Sequence, residues 1–498
     1  MSSFRIILLL SLIGLILRFP YFFPAVIDWD ESTFILMGQN ILDGNLPYTE
    51  FWDLKPPLTF YSFAFFIFVF GKSILAIRLG GFVFLIATSY ILYLIGKQAY
   101  NKNIGIISAI LCIVFVSLTP SGQATMTEIV TLLPLMLALY ILIRFEYSSK
   151  TLFLLGVCIA SAFLVRLNLA YVAVGIFIFL FFEMRELKFS DFVKNLLIFI
   201  SGSLFVMLLI SLPYLITNQG ILLFDSVFRV SLEHTSSRLS ISEVFIELIN
   251  KGFGIQNLFL WGTTLIGVFL LSFKQINKKN KATVKVGVFF ISILYSIIAS
   301  GSSHEHYLIQ IIPIMSIISA VAIDYLINSK IKLFILVILF LGLLPFSSIF
   351  NEYKTLVDRS MNNQKLEVGP QYEIAQFLEE MNPKKEPIYL MTDHIIYWFM
   401  NMKPPSKVTL HPSNIAREYM VKIIKGEKFS SKSELLEILT LKPLFIVKNK
   451  DLWYLKDNIE LSQILEKNLS KNYTKIKTIE GRNIYKRKST LVDTKIVL

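Results

Sequence analysis

The chain has 498 residues, of which 54% are hydrophobic, and its mean hydropathy is +0.63. Soluble domains are usually about 45–50% apolar, so this composition excludes an ordinary soluble protein. The apolar excess lies in runs of about 18 or more residues, each long enough to cross the roughly 30 Å hydrocarbon core of a bilayer. We therefore predict a mainly α, polytopic helical membrane protein. The net charge of +13 does not indicate nucleic-acid binding, because much of it lies in short loops where Lys and Arg set membrane topology.

Eleven segments are predicted to span the membrane. They are residues 4–23, 74–96, 103–119, 125–143, 151–167, 168–183, 193–216, 255–273, 284–301, 306–327 and 331–350. No A-x-A-like cleavage site follows the first segment, so we expect it to be retained as a membrane helix. Basic residues in alternate loops, together with Arg5, predict a multi-pass plasma (inner) membrane protein with a cytoplasmic N-terminus. The same rule places residues 24–57, 120–124 and 217–254, and the tail from about residue 351, on the outer side.

Two domains are predicted. Residues 1–350 form the transmembrane domain, which includes an outer loop at 24–73. Within that loop, residues 31–43 and 57–71 are too short to span and are expected to be interfacial helices on the outer surface. Residues 351–498 are polar and Lys-rich and predict a small extracytoplasmic α/β domain. Its expected elements are helices at 372–381 and 433–439 and buried strands at 387–391 and 443–447.

The outer loop carries a dense group of charges. Asp28, Asp30 and Glu31 follow the first helix, and Asp53 and Lys55 come just before the next apolar segment. A carboxylate at a membrane surface can act as a general base whose pKa is set by burial and neighbouring charges. Lys is a common partner of phosphate. The structural alternatives are a solvated loop, a favourable interaction of acidic residues with a helix dipole and snorkelling of Lys55 to lipid headgroups.

Other charged residues are predicted to reach the same outer layer. Arg78 lies about one turn inside an apolar run and needs an anionic partner, which a lipid-linked phosphate or a headgroup would supply. Glu128 is either a second active-site carboxylate or the end of a capping box that begins at Thr125. Arg166 and Asn168 interrupt an apolar stretch of more than 30 residues, and an Arg at membrane depth indicates function by default.

A short polar sequence precedes the tenth predicted span. His304, His306 and Tyr307 are candidates for hydrogen bonds to a headgroup phosphate or a sugar. The alternative is a polar helix start at the outer interface. The His-x-His spacing is a weak metal signal, because zinc sites on helices use positions i and i+4. We predict no metal ligand or cofactor from this chain, although a divalent metal beside the carboxylates stays open.

Taken together, these segments resemble integral-membrane glycosyltransferases of the GT-C type. The nearest resemblance is to the bacterial family related to protein O-mannosyltransferases (glycosyltransferase family 39) and to the aminoarabinose transferase of lipid A. The resemblance covers about residues 1–350. The matching segments are Trp29-Asp30-Glu31, residues 43–48, Trp52 through Leu58, residues 78–80, Gln123 through Glu128, and His306-Tyr307-Leu308 with Pro313.

The resemblance implies a reaction and assigns residues to it. A polyprenyl-phosphate-linked sugar would be the donor and a glycan, lipid or protein hydroxyl the acceptor, with inversion at the anomeric carbon. Asp30 is similar to the general base of the family, with Glu31 and Glu128 as further catalytic carboxylates. The resemblance also implies contacts with the donor phosphate, made by Lys55, Arg78 and Arg166. It implies contacts with the substrate, made by Asp53, His304, His306 and Tyr307. The tail resembles the periplasmic domains of related bacterial enzymes at residues 393–397 and at His411-Pro412.

A second class of function stays open at this point. A polytopic lipid or glycan transporter or flippase would also place charged residues in a membrane protein. Such proteins are expected to contain broken helices or inverted repeats with charges near the midplane. The sequence contains no detectable internal repeat, and its charges lie at one predicted edge of the membrane.

Overall fold

A computed structural model describes residues 2–236, 240–252, 255–273, 281–329, 346–409, 413–456 and 458–489. The mainly α, polytopic helical architecture is confirmed. Ten of the eleven predicted spans coincide with helices of the described residues, and the eleventh, at 331–350, falls mostly outside them. The helices up to residue 328 are α1 Ser3–Arg18, α2 Trp29–Leu42, α3 Pro57–Phe70, α4 Ile74–Ala99, α5 Lys102–Leu118, α6 Thr127–Arg144, α7 Ser149–Phe163, α8 Ala170–Met184, α9 Phe189–Ile216, α10 Gly220–Phe224, α11 Val230–Ser236, α12 Ile241–Gly252, α13 Ile255–Phe273, α14 Lys281–Ala299 and α15 Ile312–Asn328.

Six helical segments among the described residues are long and apolar enough to cross a membrane. Several of the others are apolar but shorter, including α5, α7 and α15. The predicted division of residues 151–183 into two helices is confirmed, since α7 ends at Phe163 and α8 begins at Ala170. The number of crossings and their direction stay predictions.

Small residues let the membrane helices approach closely. A Cβ atom on Gly156 of α7 would lie 2.1 Å from the carbonyl oxygen of Phe199 on α9. A Cβ atom on Gly202 of α9 would lie 2.1 Å from the carbonyl oxygen of Phe153. Helix association in lipid depends on this kind of packing, because lipid tails are as apolar as the side chains and provide no hydrophobic driving force.

The outer loop forms the two short helices that were predicted. Helix α2 and helix α3 pack against each other through an edge-to-face contact of Phe34 with Phe63, whose ring centroids are 5.5 Å apart. Gly38 allows this close approach, since a Cβ there would lie 2.8 Å from the Ala64 backbone nitrogen. The loop that joins α2 to α3 carries Asp53 and Lys55. It returns beside the beginning of α2, where Lys55 Nζ lies 3.6 Å from Asp30 Oδ2.

The C-terminal domain contains a four-stranded mixed sheet in the order β1-β2-β4-β3. The predicted strands are confirmed as β1 Ile388–Leu390 and β2 Phe445–Asn449, which pair in parallel with Tyr389 opposite Ile446. Strands β3 Tyr473–Ile479 and β4 Arg482–Arg487 form an antiparallel hairpin, and β4 pairs with β2. The remaining helices of the chain are α16 Ser347–Met361, α17 Pro370–Met381, α18 Ile395–Phe399, α19 Ser413–Ala416, α20 Glu418–Lys425, α21 Ser431–Thr440 and α22 Ile459–Asn472. Helix α16 runs across residue 350, where the domain boundary was predicted.

The outer loop is joined to the C-terminal domain by backbone hydrogen bonds. The Trp52 amide donates to the Lys407 carbonyl at 2.8 Å, and the Thr409 amide donates to the Trp52 carbonyl at 3.1 Å. The Trp52 side chain is fully buried, and its indole nitrogen donates to Ser226 Oγ at 2.8 Å. A second bridge joins Ala25 to Val368 at 2.8 Å. The charged loop therefore lies between the transmembrane helices and the C-terminal domain.

Candidate active site

Asp30 is placed by the first turn of α2. Asp28 caps this helix, because its Oδ1 accepts a hydrogen bond from the Asp30 amide at 3.0 Å. The other oxygen of Asp28 accepts from Ser121 Oγ at 2.6 Å. The side chain of Asp30 is 37% exposed, and its Oδ2 lies 3.6 Å from Lys55 Nζ. The helix-dipole alternative is therefore compatible with this geometry, and the proximity of Lys55 to Asp30 is a finding of the structure.

Lys55 is held by a rigid return of the chain. Asp53 Oδ1 accepts from the Lys55 amide at 2.8 Å, and the Tyr48 hydroxyl donates to the Lys55 carbonyl at 2.6 Å. Tyr48 has a φ of 71°, a left-handed conformation that is uncommon for a bulky residue and is often found at functional loops. Pro56 is the N-cap of α3 and Pro57 is its first residue, a position at which the fixed φ of proline is favourable. The ammonium group lies 5.8 Å from the Phe34 ring centroid.

Glu128 and Arg166 form a buried ion pair beside this loop. Arg166 Nη1 donates to Glu128 Oε1 and, at 2.8 Å, to Thr127 Oγ1. Glu128 is fully buried and Arg166 is 4% exposed. The capping-box alternative for Thr125 and Glu128 is wrong. The N-cap of α6 is Met126, and Thr125 Oγ1 donates to the Ile77 carbonyl on a neighbouring helix at 2.9 Å.

The polar segment before α15 completes the cluster. It forms a 3-10 helix, Glu305–Gln310, that brings His306 Nε2 to 3.6 Å from Glu128 Oε1. The guanidinium carbon of Arg166 lies 4.2 Å from the centroid of the Tyr307 ring, a cation–π geometry. The rings of His304 and His306 are stacked, with centroids 5.4 Å apart. Residues from four separate parts of the sequence thus meet in one layer, as the predicted topology required.

Burial and neighbouring charges together shift the pKa values of the loop carboxylates in different directions. Burial acts to raise the pKa of Asp30, but the positive charge of Lys55 opposes it, and the net effect holds the pKa below its ordinary value. Burial raises the pKa of Asp28, and the Asp30 charge adds to that effect. Asp53 has no exposed surface, and burial raises its pKa to about 7. Although burial opposes it, the Asp30 charge raises the pKa of Lys55. Of Asp28, Asp30 and Asp53, Asp30 is therefore the carboxylate best kept ionised.

A cavity of about 360 Å³ opens beside these charges. Lys55 and Arg166 lie in its wall together with Asn168 and Tyr307. Its other walls are mainly apolar and are formed by Leu54, Pro56, Leu167, Ala170, Tyr171, Phe228, Leu232 and Ala299, with Ser231 and Ser300 between them. A cavity with two cations and a long apolar wall suits a ligand with an anionic head and an apolar chain.

Two predicted site residues have a different position. Arg78 Nη1 donates to Glu31 Oε1, and the Thr125 amide donates to the same oxygen at 2.7 Å. Both members of the pair are 1% exposed, and neither lines the cavity. The anionic partner that Arg78 needs is thus Glu31, which corrects the expectation that a lipid phosphate or headgroup supplies it. The predicted roles of Glu31 in catalysis and of Arg78 in phosphate binding stay predictions.

Some polar groups of the site were not singled out from the sequence. Ser121 contacts Asp28 from the loop before α6, at a backbone φ of 59°. Arg18, at the end of α1, donates to the Gly122 carbonyl at 2.6 Å and so fixes the same loop. An Arg at the end of an apolar run is a signal that could have indicated Arg18. No local pattern marks Ser121, because its partner is 93 residues away.

The tail residues at 393–397 lie in the interior of the C-terminal domain. Asp393 accepts from Gln371 Nε2 at 2.6 Å and from Arg482 Nε at 3.1 Å. His394 is 5% exposed, and burial lowers its pKa to about 3. The contacts indicate a structural network in which strand β4 is tied to helix α17. His411 and Pro412, the other tail residues of the resemblance, lie outside the described residues.

The His, Cys, Asp and Glu side chains of the chain were considered as metal ligands. In the part of the chain that the structure describes, no group of three or more His, Cys, Asp or Glu side chains could hold a metal ion. His304 and His306 therefore lack the further ligands that a protein zinc site needs.

Comparisons with known proteins agree with this architecture. The dolichyl-phosphate-mannose-protein mannosyltransferase family matches residues 54–216. The structure of ArnT from Cupriavidus metallidurans bound to undecaprenyl phosphate is similar over 99% of this chain and 98% of that chain, with a TM-score of 0.62 and 11% sequence identity. The apo oligosaccharyltransferase of Archaeoglobus fulgidus is similar over 90% of this chain and 69% of that chain, with a TM-score of 0.51 and 12% identity.

A third solved structure extends the comparison. The structure of AglB from Archaeoglobus fulgidus, in complex with an inhibitory peptide and a dolichol-phosphate, is similar over 99% of this chain and 75% of that chain. The TM-score is 0.53 and the sequence identity is 12%. No curated protein matches the sequence significantly. The chain has the fold of the GT-C superfamily of membrane glycosyltransferases, and the resemblance predicted from the sequence is confirmed at that level.

Proposed function

We propose that the protein transfers a sugar from a polyprenyl-phosphate donor to an acceptor hydroxyl at the outer face of the membrane. The observation that carries most weight is the cavity in which Lys55 and Arg166 meet an apolar wall, with Asp30 3.6 Å from Lys55. That combination provides an anion site, a hydrocarbon site and a carboxylate base in one place. The family match over residues 54–216 includes Lys55 and Arg166.

The donor would lie with its phosphate between Lys55 and Arg166. Both cations are already positioned, Lys55 by the Asp53 turn and Arg166 by Glu128. Fixed cations stabilise the charge that develops on the leaving phosphate without reorganising in the transition state. The polyprenyl chain would follow the apolar wall past Tyr171, Phe228 and Leu232. Undecaprenyl phosphate and dolichol-phosphate bound to similar folds support this assignment by analogy.

Asp30 would act as the general base. The ionised carboxylate accepts the proton of the acceptor hydroxyl, and the oxygen forms a bond to the anomeric carbon. The bond from that carbon to the phosphate oxygen breaks, and polyprenyl phosphate leaves with the bonding electron pair. Attack opposite the leaving group inverts the anomeric configuration. The partial exposure of Asp30 allows a large acceptor to reach it.

Glu128 and His306 are proposed to position the phosphate-binding group. Glu128 is fully enclosed and holds Arg166, so it would act through Arg166 rather than by touching the reacting atoms. His306 lies 3.6 Å from Glu128 and faces the same layer with His304 and Tyr307, which remain candidates for contacts with the sugar. We propose that the reaction needs no metal, because Lys55 and Arg166 supply the positive charge. Transfer is then expected to continue in the presence of EDTA.

Reconstitution tests this function directly. The purified protein is placed in liposomes with donors that carry a radiolabelled sugar on polyprenyl phosphate, and an extract of cell-envelope glycans and lipids serves as the acceptor source. We expect release of polyprenyl phosphate that depends on the extract. A Lys55→Gln variant is expected to raise the donor KM at least tenfold, because one of two phosphate partners is lost.

Lys150→Gln is the matched control, since it removes one exposed positive charge at the start of α7, the end of that helix away from Arg166. No release from any of several donors, by protein that is folded and binds lipid, would remove the transferase proposal. Movement of intact donor across the bilayer without release would instead favour a flippase.

A further inference from the structure

We infer that a second binding site, for a saccharide carrying a phosphate or carboxylate group, lies where the C-terminal end of α2 meets the C-terminal domain. It rests on the proposed function to the extent that such a saccharide would belong to the acceptor. The site is a cavity of about 250 Å³, separate from the one that contains Lys55. It is referred to below as the seam cavity, and it is defined by Asn40, Asp43, Lys72, Trp398, Met402 and Lys403.

Asn40 offers an unused hydrogen-bond donor in this cavity. Its side chain is 2% exposed, and its Nδ2 has no hydrogen-bond partner among the described residues. The orientation of the amide is set by its neighbours. Asn45 Nδ2 donates both to Asn40 Oδ1 and to Glu50 Oε2, each at 3.0 Å, so the group of Asn40 facing Asn45 must be the oxygen. The buried nitrogen is then unsatisfied, at a cost of about 1–3 kcal/mol, and an acceptor oxygen of a ligand in the cavity would satisfy it.

Two lysines add positive charge to the same cavity. Lys72 Nζ donates to Asn401 Oδ1 and lies 5.6 Å from the Trp398 ring centroid. Lys403 pairs with Glu50, and its side chain is 71% exposed. Each ammonium group has three donors, so both keep donors for a ligand after these contacts.

The Trp398 indole and the Gln39 amide, two other polar groups of the cavity, are already engaged. The Trp398 indole nitrogen donates to Gln39 Oε1 at 3.3 Å, and Gln39 Nε2 donates to Asp43 Oδ1 at 2.9 Å. The donors that remain for a ligand therefore come mainly from Asn40, Lys72 and Lys403. A ligand that uses these donors must supply acceptor oxygens. A phosphate or carboxylate supplies them and also pairs with the ammonium groups, whose charge is partly balanced by Asp43 and Glu50.

The shape and rim of the cavity favour a saccharide over a free ion. Leu36, Phe51 and Met402 provide apolar surface that can face the carbon skeleton of a sugar ring. Asp43 lies at the rim and can accept hydrogen bonds from hydroxyl groups. Sites for small molecules typically combine such apolar walls with a few fixed polar groups.

Helix α2 connects the seam cavity to the proposed reaction centre. Asp30 lies in its first turn and Asn40 near its end. With a rise of about 1.5 Å per residue, the ten-residue separation corresponds to roughly 15 Å along the axis. A glycan with one unit at Asp30 could therefore place a more distant anionic unit in the seam cavity, so the cavity would select the acceptor.

Direct binding tests the seam cavity without any donor. Glucose 6-phosphate, glucuronate, glucose and inorganic phosphate are added to the full-length protein in a neutral detergent, and binding is followed by saturation-transfer NMR. We expect both anionic sugars to bind, inorganic phosphate to bind at least tenfold more weakly, and glucose not to bind. Asn40→Leu and Lys72→Gln are each expected to weaken binding of the anionic sugars at least tenfold. Lys432→Gln, on an exposed face of the C-terminal domain, is the matched control and should bind like the wild type.

Equal binding by wild type, Lys72→Gln and Lys432→Gln would overturn the assignment, and so would no binding by the wild type. Phosphate binding as tight as that of the sugar phosphate would contradict the saccharide specificity. Displacement of the sugars by phosphatidylglycerol nanodiscs would show that the cavity holds a lipid headgroup instead. Donor cleavage is measured separately, so failure of the transferase proposal leaves this binding result to be judged by itself.

Discussion

Four carboxylates of the outer loop have four different environments. Asp30 is partly exposed beside Lys55, and Asp28 caps α2 and accepts from Ser121. Glu31 is buried against Arg78, and Asp53 is enclosed in the turn before Lys55. A base must reach the acceptor and be ionised. Of these four side chains, Asp30 meets both conditions, because it is open to solvent and surrounding positive charge lowers its pKa.

Replacement of Asp30 by Asn tests this assignment. The amide cannot take up the acceptor proton, so kcat for acceptor-dependent release should fall about 10²–10⁴-fold, the usual contribution of a general base. Binding of the donor should change little, because Lys55 and Arg166 remain. The measurements are kcat, donor KM and expression level in the reconstituted system. Asp191→Asn, at an exposed position in the first turn of α9, serves as the control. Turnover of the Asp30 variant at the wild-type rate would exclude this carboxylate as the base.

The raised pKa of Asp53 predicts that the free energy of unfolding depends on pH. Its pKa in the folded protein is about 7, against an ordinary value of 3.8, because the side chain is buried. The folded state therefore keeps this proton at pH values where the unfolded state has released it, and stability falls as the pH rises from about 4 to about 7. At about 1.4 kcal/mol per pKa unit, the upper limit of the loss is roughly 4 kcal/mol.

An Asp53→Asn variant cannot titrate at this position. We expect its Tm to decrease less than that of the wild type between pH 5 and pH 8, measured by thermal unfolding in detergent. Parallel Tm curves for the two proteins over this range would contradict the assignment of the titration to Asp53.

The sequence predicted which residues of this site come together, although it did not predict all their contacts. Asp30 and Lys55 were expected on one face because both flank short outer segments, and Arg166 because it interrupts an apolar stretch. The partner of Arg78 was not predicted, since Glu31 is 47 residues away and contact depends on how α2 packs on α4. The capping box at Thr125 failed for a similar reason, because Thr125 Oγ1 bonds to Ile77 in another helix.

At the level of helices, the Glu31–Arg78 pair joins α2 to the membrane helix α4. Both side chains are 1% exposed, and Glu31 also accepts from the Thr125 amide in the loop just before α6. Three elements of the outer layer are therefore fixed through one carboxylate. This arrangement fixes the N-terminal turn of α2, which carries Asp30, against α4 and the loop before α6.

Arg78→Met tests whether this pair is structural. The change leaves the Glu31 charge buried without its partner, and breaking a buried pair typically costs about 3–5 kcal/mol. We expect a clear loss of Tm, and partial recovery in the double variant Glu31→Gln/Arg78→Met, since that removes both charges. If Arg78 instead binds the donor phosphate, the single variant would keep its Tm and show a raised donor KM.

Secondary structure was predictable where hydrophobic patterns are long and local. The membrane helices, α2, α3 and the buried strands β1 and β2 follow from apolar runs. The β3–β4 hairpin was not predicted, because its strands are polar on the surface and rich in Lys. A signal was present in Glu480-Gly481, whose φ values of 40° and 79° suit a two-residue hairpin turn.

At the scale of the whole molecule, the C-terminal domain is attached to the loop that carries the proposed base. Backbone bonds at Trp52 and Val368, and the contact of Trp398 with Gln39, connect the domain to the outer loop. The seam cavity and the reaction centre are thus at opposite ends of α2. A domain placed in this way can select acceptors without providing catalytic side chains.

The predicted topology determines the side of the membrane on which the acceptor reaches Asp30. The donor lipid is reached from within the bilayer, whereas the acceptor must come from the side on which Asp30 is exposed. Lys and Arg in alternate loops predict that this is the outer side. The C-terminal domain should then be accessible from outside, and the loop before α7 should not be.

Engineered cysteines can decide the question. The native Cys112 is fully buried and Cys158 is partly buried, and both lie in apolar helices, so background labelling should be low. Lys432→Cys lies in the C-terminal domain with a side chain that is 51% exposed in the wild type, and Lys150→Cys lies at the exposed start of α7. We expect a membrane-impermeant maleimide to label Lys432→Cys in intact cells or spheroplasts, and to label Lys150→Cys only after permeabilisation. The reverse pattern would place Asp30 and the seam cavity on the cytoplasmic side, where the acceptor would have to be a cytoplasmic glycan or lipid rather than a component of the cell envelope.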